Sequence, residues 1–100
     1  MIQGATYEQI FKLPVKVDLI KEVRITYTQD DEIIVEKTQN DCELNDTQIT
    51  VSLSQEDTFR FDPDKLYEFQ IVTLTTDGKV IKSVPRSGRC IKSLNKEVLV

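Results

Sequence analysis

The feature that most constrains this chain is a hydrophobic period of two. In EVRITYTQ, Val23, Ile25 and Tyr27 alternate with Arg24, Thr26 and Thr28. In TQITVSLS, Ile49, Val51 and Leu53 alternate with Gln48, Thr50 and Ser52. In LYEFQIVTL, Tyr67, Phe69 and Ile71 alternate with Glu68, Gln70 and the less polar Val72. Successive side chains of a strand point to opposite faces, so each stretch predicts a half-buried strand with one apolar face. Its β-branched and aromatic residues suit a pleated surface.

Polar clusters separate the runs: Gln29-Asp30-Asp31, Asn45-Asp46, Asp62-Pro63-Asp64 and Asp77-Gly78. The Asp-Gly pair is the strongest turn signal, because a type I′ turn needs positive φ at both central residues. It predicts a two-residue hairpin joining LYEFQIVTLTT to KVIKSV. Further strands are expected in YEQIFKLP, ended by Pro14, in DEIIVEK and in DCEL, with RCIKSL or KEVLV closing the chain. LIKEV near residue 20 and SQED near residue 55 each have room for a single helical turn.

Seven or eight short strands at this spacing predict an all-β fold, an antiparallel β-sandwich of immunoglobulin-like architecture. One hundred residues make one domain, residues 1–100. A chain of this size buries roughly 65% of its unfolded surface without metal or disulfide staples.

The stretch VSLSQEDTFRFDP, residues 51–63, reads at first like the corner of an antibody variable domain. Ser54 is placed to cap a short turn, its hydroxyl accepting the N–H of Asp57 while Asp57 reaches back, a capping box. Phe59 and Phe61 are expected to share a face and close one end of the sandwich. An antibody-type corner would need a Tyr with a Cys two residues on, and a Trp on the facing sheet. Here those positions hold Phe61 and Pro63, and the chain contains no Trp. The corner is not that of an immunoglobulin receptor.

Catalytic chemistry finds little to work with. The chain has no His, which removes the commonest general base and zinc ligand. Asp62-Pro63-Asp64 and Asp30-Asp31-Glu32 are oxygen-rich, but neither has EF-hand spacing, and they read as solvated turn acids. No metal, cofactor or catalytic set is expected. Cys42 and Cys90 are expected as reduced thiols, Cys42 held unreactive by Asp41 and Glu43 and Cys90, beside Arg89, the more reactive of the two.

Charge is unevenly spread. The net charge is −4, yet residues 79–100 carry Lys79, Lys82, Arg86, Arg89, Lys92 and Lys96 against Glu97 alone. Residues 30–46 carry seven acids against Lys37. The basic stretch lacks the aromatic residues that stack on bases, which argues against nucleic acid as a partner. Lys82, Arg86, Arg89, Lys92 and Lys96 are therefore the candidate interface to a protein. The asymmetry predicts that the basic C-terminal strand lies beside the acidic segment, within one chain or between chains.

MIQGATYEQIFKLP, LIKEVRITYTQ, VSLSQEDTFRF and FQIVTLTTDGKVI together resemble a group of small, roughly 100-residue proteins from phages and prophages of Gram-positive bacteria. More loosely they resemble the N-terminal β-sandwich domain of phage baseplate upper proteins. The resemblance reaches to about Ile81 and does not extend over RSGRCIKSLNKEVLV. It implies a non-enzymatic structural or accessory part of a phage particle whose partners are other structural components or further copies of itself. No site residues carry over with it. The alternative is a host-directed regulatory or inhibitory binding module of phage origin. No apolar run is long enough to span a bilayer and no signal peptide is visible. The expectation is a chain made in a bacterial cytoplasm, with no membrane partner, and then associated with virions.

Overall fold

The computed structural model describes residues 1–100 and realises the alternation as eight strands in two antiparallel sheets. The smaller sheet has β1 (Tyr7–Lys12), β5 (Gln48–Leu53) and β4 (Cys42–Asn45), with β5 in the middle. The larger sheet runs β3 (Glu32–Thr38), β2 (Ile20–Gln29), β6 (Leu66–Thr75). Along the far edge of β6 lie β7 (Val80–Lys82) and β8 (Arg86–Arg89), end to end. The fold is an all-β sandwich.

The apolar faces read from the sequence are the ones that meet. Val23, Ile25 and Tyr27 of β2 and Ile49, Val51 and Leu53 of β5 are all at most 1% exposed. Tyr67 and Ile71 of β6 join them, with Phe69 half-buried, in a single core that also holds Leu13, Val35, Phe61 and Cys90. Burying one such large apolar side chain contributes roughly 1.5–3 kcal/mol. Tyr27 anchors the centre, edge-on to Phe61 and tilted against Tyr67 and Phe69. Its hydroxyl donates to Gln9 Oε1 of the opposite sheet at 2.7 Å.

The corner after β5 forms as its residues dictate. α1 (Gln55–Phe59) is a single turn capped by Ser54, which accepts the Asp57 N–H at 3.1 Å. The Asp57 carboxylate accepts the Ser54 N–H in return at 3.0 Å. Phe59 and Phe61 part company, however. Phe61 is buried in the core, whereas Phe59 lies half-exposed with its ring against Gly4. Gly4 sits at φ 79°, and a Cβ there would meet the ring at 2.3 Å. The buried group at this corner is Thr58, whose Oγ1 accepts the Gly4 N–H at 2.9 Å. The next corner is stapled by Gln29, which accepts the Asp62 N–H and donates to the Asp62 carbonyl, both at 2.8 Å.

Several local expectations give way to the structure. The Asp77-Gly78 hairpin does join β6 to β7, but only Gly78 has positive φ. Thr75 organises a longer loop, its carbonyl accepting the Gly78 N–H at 3.0 Å and its N–H donating to the Lys79 carbonyl at 2.9 Å. That is a three-residue loop closed by a left-handed glycine. The turn with two positive φ values is Asp30-Asp31 between β2 and β3, at 50° and 64°; aspartate tolerates this region better than most residues.

The helical turn near residue 20 lies earlier, as a 3₁₀ turn at Val17–Leu19, and Ile20 already begins β2. The last strand is neither RCIKSL nor KEVLV but Arg86–Arg89. β6 has no residues left to pair beyond Leu66, so β8 ends at Arg89. Cys90 then turns into the core, and Ile91 makes only an isolated bridge to Ile2.

Candidate functional site

The sandwich has two long sides where the edges of its sheets come together, and they are built differently. On one side, β3 passes to β4 through a single 3₁₀ turn, Gln39–Asp41. Thr38 and Asp41 cap it reciprocally, the Thr38 N–H donating to Asp41 Oδ2 at 3.0 Å. The Gln39 side chain accepts the N–H of fully buried Val23 at 3.0 Å, so this turn seals the core. Residues 32–46 of the acidic segment run along this side, and a few of the segment's charges are matched. Glu36 lies 3.6 Å from Arg24, Asp30 pairs with Lys65, and Lys37 of the same strand pairs with Asp57 at 2.9 Å.

The other side is open. Its two edges are β1 and the β7–β8 line, and neither has a second neighbour. Between β7 and β8 the ladder is interrupted at Ser83-Val84-Pro85. Ser83 substitutes for a strand residue: its Oγ accepts the Ile71 N–H at 3.0 Å and its own N–H donates to the Ile71 carbonyl at 2.9 Å. The chain then swings out, leaving Val84 80% exposed, and Pro85 offers no N–H for pairing.

A groove of about 410 Å³ opens beside this break. Phe11, Phe69 and Ile71 line it on the core side, while Ile10 and Val84 line its rim. Phe11 and Phe69 meet edge-on across the two sheets with centroids 5.8 Å apart. Lys12 and Arg86 bring positive charge to the same groove.

The five predicted interface cations divide on this frame. Lys82, Arg86 and Arg89 do lie along one edge, opposite Val72, Phe69 and Leu66 of β6. Register places Arg86 on the face of Phe69, towards the groove, while Lys82 and Arg89 share the outward face. Lys92 and Lys96 fall beyond the end of β8, outside any strand, with Lys96 Nζ bonded to Gln3 Oε1 at 2.9 Å. Lys82, Arg86, Arg89 and Lys92 have no carboxylate within ion-pair distance, and neither does Lys12.

Pairing of the acidic and basic segments inside one chain does not occur, because β2 and β6 stand between β3 and the β7–β8 edge. Sequence reasoning also missed Lys12, Ile10 and Val84 as parts of this side. The available signal was Ile10, an apolar residue on the polar face of YEQIFK, in phase with Glu8 and Lys12.

The thiols are separate and free, Cys42 half-buried and Cys90 buried. Burial first, then Asp41, pushes the Cys42 thiol above its ordinary value. Burial also raises Cys90, whose Sγ lies 3.9 Å from the Thr58 carbonyl. The expectation that Arg89 activates Cys90 fails for that reason: Cys90 points into the core and Arg89 out of it. No three acidic or Cys side chains gather into a metal-binding group. No helix is long and apolar enough to cross a membrane. Comparison with protein-family models, curated proteins and solved structures finds no match to this chain.

Proposed function

We propose that this protein is a non-enzymatic assembly module, a structural or accessory part of a phage particle of the baseplate or tail type, acting through protein–protein contacts. The observation that carries the reading is the open basic side. Lys12, Lys82, Arg86 and Arg89 stand along two unpaired sheet edges without carboxylate partners, whereas Glu36 and Lys37 of the closed side's β3 have partners within the chain. Unpaired edges are templates for another chain, and natural proteins often protect them with Lys. A row of unmatched cations on such an edge favours an acid-bearing protein surface and speeds its docking.

The sequence resemblance to small phage proteins supplies the particle context. Mass spectrometry or immuno-labelling of purified particles tests it directly. Stoichiometric presence in particles is expected, with loss of incorporation when Lys82, Arg86 and Arg89 are all changed to Glu. Absence of the protein from particles overturns the reading in favour of a host-directed binding module.

A further inference from the structure

The groove on the open side lacks one strand, and the chain carries an unused segment that fits it. Residues 92–100 form no strand. Leu94, Val98 and Leu99 are 98%, 43% and 66% exposed. Two side chains of the body hydrogen-bond this segment: Gln55, which bonds the Leu99 backbone in both directions, and Gln3, which bonds Lys96. A groove of about 410 Å³ lies within the range of sites that hold ligands, roughly 300–1,000 Å³.

We infer that the free edge of β1 accepts residues 97–100 of a second copy of this chain as an added antiparallel strand. The inference rests on the assembly reading above and names the partner and the contact.

One register satisfies both faces. With Glu97 opposite Lys12, the strand sets Val98 opposite Phe11, Leu99 opposite Ile10 and Val100 opposite Gln9. On the outward face, Glu97 then meets the unpaired Lys12, and Leu99 covers Ile10, which is 62% exposed. On the inward face, Val98 drops onto Phe11 and Phe69 in the groove. Shifting by one residue would put Glu97 into the apolar groove, so side-chain alternation selects the register. Strand addition of this kind draws affinity from main-chain hydrogen bonds and specificity from alternate side chains.

Chain length favours a second copy as the donor of the strand. In its own chain the segment leaves Ile91, bridged to Ile2, and its Leu99 is held at Gln55, just past the Tyr7–Leu53 end of the β1–β5 ladder. Lys12 lies at the other end of β1, about 17 Å away at roughly 3.4 Å per residue. From Ile91 to Glu97 the chain spans at most about 22 Å, at 3.3–3.6 Å per residue. After the length of β1, only about 5 Å, less than two residues, remains for the reversal that an antiparallel strand needs.

The test uses full-length chains. Ile10→Cys and Leu99→Cys variants, each at an exposed position, are mixed in equal amounts under mild oxidation. Residues directly opposite in an antiparallel pair bring their Cβ atoms close enough for a disulfide. A covalent dimer is expected in the mixture, well above the level with either variant alone. Val98→Asp should weaken association at least tenfold at both low and high salt, with the far-UV spectrum of the fold retained.

No cross-link above the single-variant background overturns the inference. So does closure within one chain of the double variant, seen as a monomer that has lost two thiols. Association that dissolves in salt and ignores Val98→Asp also overturns it, yet leaves the basic side as the docking surface and the assembly reading intact.

Discussion

The two long sides of this sandwich are made from similar strands and finish in opposite ways. On the acidic side, one 3₁₀ turn joins the two sheets, and Gln39 reaches in to satisfy a buried N–H of β2. On the basic side no chain crosses between β1 and β7–β8, and the ladder itself breaks at Val84-Pro85. Connectivity makes the difference. A short link between neighbouring edges closes a side at little entropic cost, whereas edges distant in sequence come together only through the whole fold. The closed side is completed within the chain, and the open side is where a partner's strand or carboxylates can add something the chain lacks.

The largest expected difference comes from one substitution made on each side. Val35 of β3 is 3% exposed and Val84 is 80% exposed. Val35→Ala should cost about 2 kcal/mol, from roughly 0.8 kcal/mol per buried methylene plus a cavity. Val84→Ala should change stability by less than about 0.5 kcal/mol. Urea unfolding midpoints at constant slope measure both, and equal losses would break the contrast.

Gly88 sharpens the comparison from the open side. A Cβ at this position of β8 would lie 2.5 Å from the Tyr67 hydroxyl. Tyr67 is 4% exposed and packs against Phe61 at 5.2 Å, so its ring has little freedom to withdraw. Burial and the neighbouring Tyr7 push its phenol up to about 12. Gly88→Ala should therefore destabilise by about 1–2 kcal/mol through overpacking. It should also loosen β8, raising hydrogen exchange at Arg86–Arg89 ahead of β3. Uniform protection of both edges in the variant would show that the β7–β8 edge is as firmly held as the closed one.

The smallest effect is electrostatic. Burial alone would raise the Asp57 carboxyl, but the Ser54 N–H and the bond and charge of Lys37 outweigh it and hold the group below the ordinary carboxylate range. A depressed folded value contributes stability that is present above the unfolded value of about 3.9 and is lost as pH falls through the folded one. Asp57→Asn should thus cost less than about 1 kcal/mol at pH 7, and the gap to the unaltered protein should close in acid. Urea titrations at neutral pH and near pH 2 provide the check; a gap that persists in acid would assign the effect to the cap's hydrogen bonds rather than to the Lys37 pair.

Much of the core was legible in the sequence, though Leu13 and Val35 were not singled out. Val23-Ile25-Tyr27, Ile49-Val51-Leu53 and Tyr67-Ile71 face inward because a strand's side chains alternate with a period fixed by its backbone, whatever it pairs with. Ser54 and Asp57 were equally legible, since a capping box closes within four residues. The basic cations could be named, but not sorted: Arg86 and Arg89 differ by three positions and so face opposite ways on the same edge. What the linear chain could not disclose is which edges become neighbours. That depends on contacts such as Gln39 with Val23, Gln29 with Asp62 and Cys90 with Thr58, each spanning 16 or more positions. Local alternation and capping were settled by the sequence itself, because their physics is complete within a few residues. The open groove beside β1, and the lack of any ion pair between the two charged segments, were decided only when the sheets closed on one another.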